Sequence, residues 1–523
     1  MVRALLLAVF LVVLAPAAAA AEFDVRAFSV TPTGLQAGSH PDLTISAEFT
    51  PYGSPPPEHV RDLRISLPPG LVGDPGSAAK CVKAEFDADA CPADSRVGAT
   101  SVRTVIPLLL GIPITATGDV YNLVPQPGEP ARLGVVVRPP LGASKVFIES
   151  PVQIRTSDGG LDSVITNMPK TVGIPLLGEV DMWIEAMDLT LEAPFTSLPT
   201  SCKPAQASVA AVSDAGTGSS RQAEPFTPTG CDAVPFAPRL EATMASTRRP
   251  SLQTVITVPR GHASTATAAV TLPRGLTVNV AALRDACTLD EQAAGPCPER
   301  ARVGSAVAQT PLLADPLTGP VTLAMQAGQP LPGLRLDLKG AASLSLTGTV
   351  SGNPLTTQFA GIPDVPLERF QLTFDAARSL AAQKNFCRGP QPLLAAELTG
   401  HNGAVVRLRE PLEVAGCAKP AVKLSVRGRR LTLRVAALRG RPLQRVRLTL
   451  PRGVRLLRAS SIARADGQRL RRVRGRRVTV QPAAARHVAV VGRLSHRLRK
   501  RRAFAVETLD STGRAVLRRL PRR

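Results

Sequence analysis

The sequence predicts an all-β (mostly) protein: two tandem disulfide-bridged β-sandwich-like repeats plus a smaller basic β module, with short helices near the first cysteine of each repeat. Three observations predict this. Forty-nine prolines and 41 glycines are set among short runs of Val, Leu, Ile and Thr in a chain of 523 residues, the pattern of many short strands joined by turns. One motif set occurs twice: Leu67-Pro68-Pro69-Gly70-Leu71, Cys81, Cys91-Pro92 and Arg96-Val97-Gly98 return as Leu272-Pro273-Arg274-Gly275-Leu276, Cys287, Cys297-Pro298 and Arg302-Val303-Gly304. A second cysteine pair follows in each half at similar spacing, Cys202 with Cys231 and Cys387 with Cys417. Spacing held through two otherwise divergent halves marks a duplicated unit. A chain this long calls for two to four domains, and the expected layout is 1–21 signal peptide, 22–235 first repeat, 236–417 second repeat and 418–523 basic module.

At the N-terminus Arg3 supplies a positive flank, Ala4 to Leu14 an apolar stretch, and Ala18 to Ala21 small residues for cleavage before Glu22. The apolar stretch is too short to span a bilayer. Pro107 and Pro113 interrupt the most apolar internal segment, so no transmembrane span is expected after cleavage. The protein is expected to be secreted or held non-covalently on the cell envelope. Eight cysteines in an oxidising compartment read as disulfides. Four per copy allow three connectivities; the preferred one joins nearest neighbours, Cys81 to Cys91, Cys202 to Cys231, Cys287 to Cys297 and Cys387 to Cys417. Zinc is disfavoured because Cys-x-x-Cys spacing and neighbouring histidines are lacking.

Along the chain, Asp24 to Val30, Asp42 to Phe49 and Val60 to Leu67 alternate apolar and polar residues as half-buried strands do. Ser77 to Asp87 carries Ala, Lys and Glu and is read as two or three turns of helix. In the second copy Asn279 and Thr288 are candidate N-caps, and Thr288 with Glu291 has capping-box spacing. Arg132 to Arg155 reads as two strands turning at Pro139-Pro140. Asp158-Gly159-Gly160, Ser351-Gly352-Asn353-Pro354 and His401-Asn402-Gly403 read as hairpin turns. Calcium on Asp158 and Asp162 is disfavoured by the absence of an EF-hand loop, and His401 is assigned to its turn. Met182 to Leu191 and Phe370 to Phe374 are further strands.

After Cys417 the motif returns as Leu450-Pro451-Arg452-Gly453-Val454, with no cysteine following. Residues 418–523 hold 32 Lys and Arg against Asp466, Glu507 and Asp510. Arginine outnumbers lysine 53 to 10 in the whole chain, a bias of composition to be discounted before any arginine is given a role. Even so, an ordinary solvated face mixes signs, and an imbalance this large repels itself unless an anion is near. The candidate contacts with a polyanion are Arg434, Arg445, Arg447, Arg474, Arg476, Arg499 and Arg501.

The pairing of LPxGL with a cysteine and CPxxxxVG, followed by VYNLVPQPGEPARLGVVV from Val120 to Val137, resembles uncharacterised secreted cysteine-containing β-repeat proteins of high-GC Gram-positive bacteria. The second copy keeps only Gly328-Gln329-Pro330-Leu331-Pro332 of the longer run. The resemblance implies an exported β-rich repeat, with no known activity and no catalytic residues.

No His-Glu-x-x-His, Gly-x-Ser-x-Gly or phosphate-binding Gly-rich loop occurs among these residues. Sparse aromatics, one Trp, two Tyr and 14 Phe, weigh against a sugar-stacking cleft or a single-strand nucleic-acid platform. The expected function is therefore a non-enzymatic envelope-associated or extracellular β-repeat protein, without cofactor or metal, whose basic C-terminal module contacts anionic cell-wall polymers or lipid headgroups. Nucleic acid is not expected, because the protein is exported. The competing reading is a secreted hydrolase with carboxylates assembled by the fold. Asp87, Asp89 and Asp94, matched by Asp290, Glu291 and Glu299, are its candidates.

Overall fold

The computed structural model describes residues 23–109, 111–140, 142–245, 248–457, 461–470, 473–498 and 503–521. The expected signal peptide lies outside them. The chain is all-β, with a few helices of three to six residues.

The first sheet has eleven strands. Neighbour by neighbour it runs Val25–Pro32, Leu43–Phe49, Trp183–Leu191, Arg96–Val105, Pro113–Leu123, Ala131–Arg138, Val146–Ile154, Leu161–Ile165, Val60–Leu67, Ser208–Ser213 and Gly218–Gln222. Its two edges meet: the Val25 N–H donates to Ser219 Oγ at 3.0 Å and Arg221 Nε donates to the Val25 carbonyl at 2.6 Å. The sheet is thus rolled around one core, with Val25, Leu43, Leu63, Val120 and Val209 fully buried inside. The two edge strands are bridged there by side chains and not by a backbone ladder.

The second sheet repeats that order. It runs Arg239–Ala245, Leu252–Thr257, Arg369–Phe374, Arg302–Gln309, Leu317–Ala324, Gly333–Lys339, Ser343–Ser351, Thr356–Phe359, Thr265–Thr271, Leu393–Gly400 and Val405–Pro411. A twelfth strand, Glu413–Ala415, pairs in parallel with the first and closes the roll. The third unit is a sandwich of two five-stranded sheets. Alternate residues such as Leu431, Leu433, Val446, Leu448, Val478 and Val506 fill its core, and the arginines between them face out.

Four disulfides close: Cys81–Cys91, Cys202–Cys231, Cys287–Cys297 and Cys387–Cys417. The helix beside Cys81 is shorter than the composition suggests, covering only Lys83–Asp87. Cys81 itself bridges to Leu123, and its N–H donates to the Asn122 carbonyl at 2.8 Å, so the backbone there belongs to the sheet. In the second copy Asn279 accepts from the Ala281 N–H, and Thr288 with Glu291 forms a capping box.

The units are stacked end on end. Asp364, in the loop before Arg369–Phe374, accepts from Thr200 N at 2.8 Å, Thr200 Oγ1 at 2.6 Å and Ser201 N at 3.1 Å. Ser264 N donates to Thr200 Oγ1 at 3.2 Å and Asn402 Nδ2 to the Val234 carbonyl at 2.8 Å, while His401 Nε2 lies 2.8 Å from the Ile362 carbonyl within the second unit. The third unit meets the second where Arg514 Nη1 donates to the Phe386 carbonyl at 2.8 Å and Gly389 N to Thr512 Oγ1 at 3.1 Å.

Candidate functional site

The basic unit separates its arginines into tied and free. Strand Leu443–Thr449 pairs with Ala503–Asp510 so that Arg447 stands opposite Glu507. Glu507 takes both Arg447 (3.1 Å) and Arg445 (3.4 Å). Asp510 takes Arg441 at 2.5 Å in a nearly buried pair. Arg476 donates from Nη2 to the Leu450 carbonyl at 2.9 Å. Arg434 is exposed, opposite Lys423 on the next strand and near Arg464. Arg474 stands on the two-residue strand Val473–Arg474, and Arg499 and Arg501 lie outside the described residues.

Among the described residues, a cluster of free arginines lies where the sequence reading placed no candidate. The Ala421–Arg427 and Arg430–Ala436 strands form a hairpin that turns through Gly428 at φ 59 and Arg429, which sets Arg427 against Arg430 and Arg430 against Arg493. Arg429 donates to the Leu494 and Ser495 carbonyls, each at 2.9 Å, and so pins the segment that carries Arg497 beside the turn. The result is an open cleft of about 590 Å³ lined by Arg427, Arg429, Arg430, Arg493 and Arg497, with no acid in its wall. Among the described residues, Arg427, Arg430, Arg493 and Arg497 are exposed and in no ion pair. The signal for this cleft was the Arg-Gly-Arg-Arg turn itself, whose meeting with 493–497 depends on long-range pairing.

No family model and no curated protein matches the chain. Solved structures align weakly. One chain comes from a structure of manganese lipoxygenase of Gaeumannomyces graminis with a partial structure of zonadhesin of Komagataella pastoris: 11% identity, TM-score 0.18, covering 74% of this chain and 94% of that one. A putative membrane anchored protein from Corynebacterium diphtheriae aligns at 8% identity and TM-score 0.16, covering 96% of this chain and 89% of that one. The major pilin RrgB from Streptococcus pneumoniae aligns at 10% identity and TM-score 0.16, covering 85% of this chain and 66% of that one.

The carboxylate candidates sit outside any deep pocket. Asp87 is exposed and pairs with Lys83 at 2.8 Å, and Asp94 is exposed in the first turn of a 3-10 helix. Asp89 is held by Lys145 at 2.6 Å and Arg138 at 2.7 Å; those hydrogen bonds, Lys145 first, keep its carboxyl below the usual range, the opposite of what a general acid needs. In the second copy Glu291 caps its helix and pairs with Arg300, and Glu299 faces Arg302 and Arg378. Asp158 and Asp162 both bind Arg155, at 3.0 and 2.6 Å, so a guanidinium occupies the place considered for calcium. Among the described residues no group of three or more His, Cys, Asp or Glu could hold a metal, and no helix is long and apolar enough to cross a membrane.

Proposed function

We propose that this is an exported, non-enzymatic β-repeat protein of the cell envelope or its surroundings, held on an anionic surface by its third unit. The observation that carries the reading is the acid-free cleft of Arg427, Arg429, Arg430, Arg493 and Arg497. Guanidinium groups make bidentate bonds to phosphate or carboxylate that lysine does not, and five in one wall present a charge density that recruits a polyanion. Four disulfides fit an oxidising compartment. There, phosphate-bearing wall polymers, acidic glycans and lipid headgroups supply the anions, in a protein of the secreted repeat kind that its motifs resemble. The test is retention of the full chain on purified cell walls and on anionic vesicles from about 50 to 500 mM salt, which spans weak to strong screening. Retention should fall steeply with salt and drop further when Arg427, Arg430, Arg493 and Arg497 are changed to Gln. Walls against vesicles identify the source of the anion. Retention that ignores both salt and the substitutions overturns the reading.

A further inference from the structure

The first barrel has a second feature, independent of the basic unit. Its strands end on two rims. One rim faces the second barrel through Thr200 and Ser201. The other gathers the connections after Phe49, Val105, Arg138 and Ile165. Beneath this free rim lies a cavity of about 80 Å³. Its wall includes Ile106, Leu133, Val135, Met168, Met182 and Met187, and among the described residues it contains no charged side chain. Three of the chain's six methionines line it, and methionine adapts its shape to irregular apolar ligands.

The rim above that cavity carries large apolar side chains that protrude into solvent. A hairpin of Thr171–Ile174 and Gly178–Asp181 packs over it, sharing a buried cluster with Ile106 and Met182. At the hairpin tip Leu176 is fully exposed and Leu177 is 51% exposed; on the adjoining loop Leu108 and Ile112 are 61% and 57% exposed. Leu176 has φ 67, a conformation turns ordinarily give to Gly or Asn. The chain's one tryptophan is on the same rim, since Trp183 pairs with Val105, donates from Nε1 to the Pro57 carbonyl and contacts Tyr52 with ring centroids 5.0 Å apart. In the second barrel the equivalent connection, 360–368, lacks a hairpin and instead docks on the first barrel through Asp364. The hairpin is therefore an addition the fold does not need.

From this geometry we infer that the free rim of the first barrel inserts into the hydrocarbon of a lipid layer and admits the end of one acyl chain into the cavity. Protruding leucines flanked by Trp and Tyr match the amphipathic boundary of a bilayer, whereas a protein partner is met by broader patches. The cavity is about half the ~150 Å³ that holds a benzene in an apolar protein interior, so it takes a chain terminus and leaves the rest of the lipid in the layer. Lys170 and Lys145 on this rim are paired with Asp214 and Asp89, and Glu179 and Asp181 are exposed, so neither lysine is left free for an anionic headgroup and the apolar side chains must carry insertion into neutral lipid.

Binding to uncharged lipid separates this site from the arginine cleft. The experiment mixes the purified full chain with zwitterionic phosphatidylcholine vesicles at about 500 mM salt, where electrostatic attraction is screened, using lipid brominated on its acyl chains. Trp183 is the sole indole reporter. Its emission should shift to the blue and be quenched by the bromine. Both changes should vanish in Leu176→Asp/Leu177→Asp, and in Leu108→Asp/Ile112→Asp, while the glutamine variants of the arginine cleft keep them. A monomeric brominated fatty acid should quench Trp183 with one-to-one stoichiometry. No blue shift or quenching on neutral vesicles overturns the inference. So does concentration-dependent self-association that the Leu176→Asp/Leu177→Asp variant abolishes, which would make the rim a contact between copies.

Discussion

Gly98 and Gly304 close the repeated Arg-Val-Gly motif, and both stand at bulges where one strand runs close to its neighbour. A Cβ on Gly98 would lie 2.0 Å from the Thr190 carbonyl oxygen, and one on Gly304 2.0 Å from that of Thr373. Only glycine lets the backbones approach. Gly98→Ala should lower stability by roughly 1–3 kcal/mol, the scale of an overpacked core, read as the shift in urea midpoint. Gly218→Ala, with nothing within 4 Å of its Cβ, should change it little. The motif was visible in the sequence; the carbonyl it must clear, some ninety residues away, was not. Charge behaves alike. The 32 to 3 imbalance of residues 418–523 is legible by counting, but which arginines Glu507 neutralises follows from cross-strand register, and that pairing removes Arg445 and Arg447 from the free set. Asp89 gives a pH signature. Lys145 and Arg138 depress its folded pKa, so its contribution is present above the unfolded value of about 3.9 and is lost as pH falls through the lower folded value. The stability gap between wild type and Asp89→Asn, from urea unfolding at stepped pH, should close on acidification; a gap that widens there would contradict the assignment.

Among the elements, the helix at Lys83–Asp87 illustrates what local pattern can and cannot tell. Its five residues are too few to be stable alone. It is held by Phe86, which is fully buried and meets Phe147 edge-on at 5.5 Å. The ring packs where Gly134 has no side chain, since a Cβ there would lie 2.5 Å from the Phe86 ring. Phe86 and Gly134 thus form a knob and its socket, joined by the fold across 48 residues. Phe86→Ala should cost about 3–5 kcal/mol and make Cys81–Cys91 reducible at lower dithiothreitol, measured by thiol release. Unchanged thiol release would mean the disulfide alone holds the helix. The hairpin at 171–181 had no such sequence mark. Its clue was a mismatch in length, because the two connected strands are separated by 17 residues in the first copy and by nine in the second, and only known strand pairing reveals it.

At the scale of the whole molecule, the duplicated order of eleven strands makes each barrel offer the same two rims, and the second barrel's free-rim loop is what caps the first barrel's opposite rim. Asp364 is 5% exposed and receives three hydrogen bonds there. A buried carboxylate so satisfied contributes, whereas its donors left without an acceptor cost about 1–3 kcal/mol each. Asp364→Ala should therefore loosen the contact between barrels while leaving each barrel's core intact, since no residue of either interior cluster depends on that carboxylate. The expected result is faster proteolysis in the connection at 232–238 and a larger radius of gyration in solution scattering, with the far-ultraviolet circular dichroism unchanged. Loss of β signal would instead mean that the barrels fold only as a pair. The distinction bears on function, because the stacked contacts put the first barrel's apolar rim and the third unit's arginine cleft on separate units with the second barrel between them. If the stack is rigid, lipid and polyanion are engaged at a fixed separation. Loosening it with Asp364→Ala should leave each binding step intact and change only whether one chain bridges a vesicle to a cell-wall fragment.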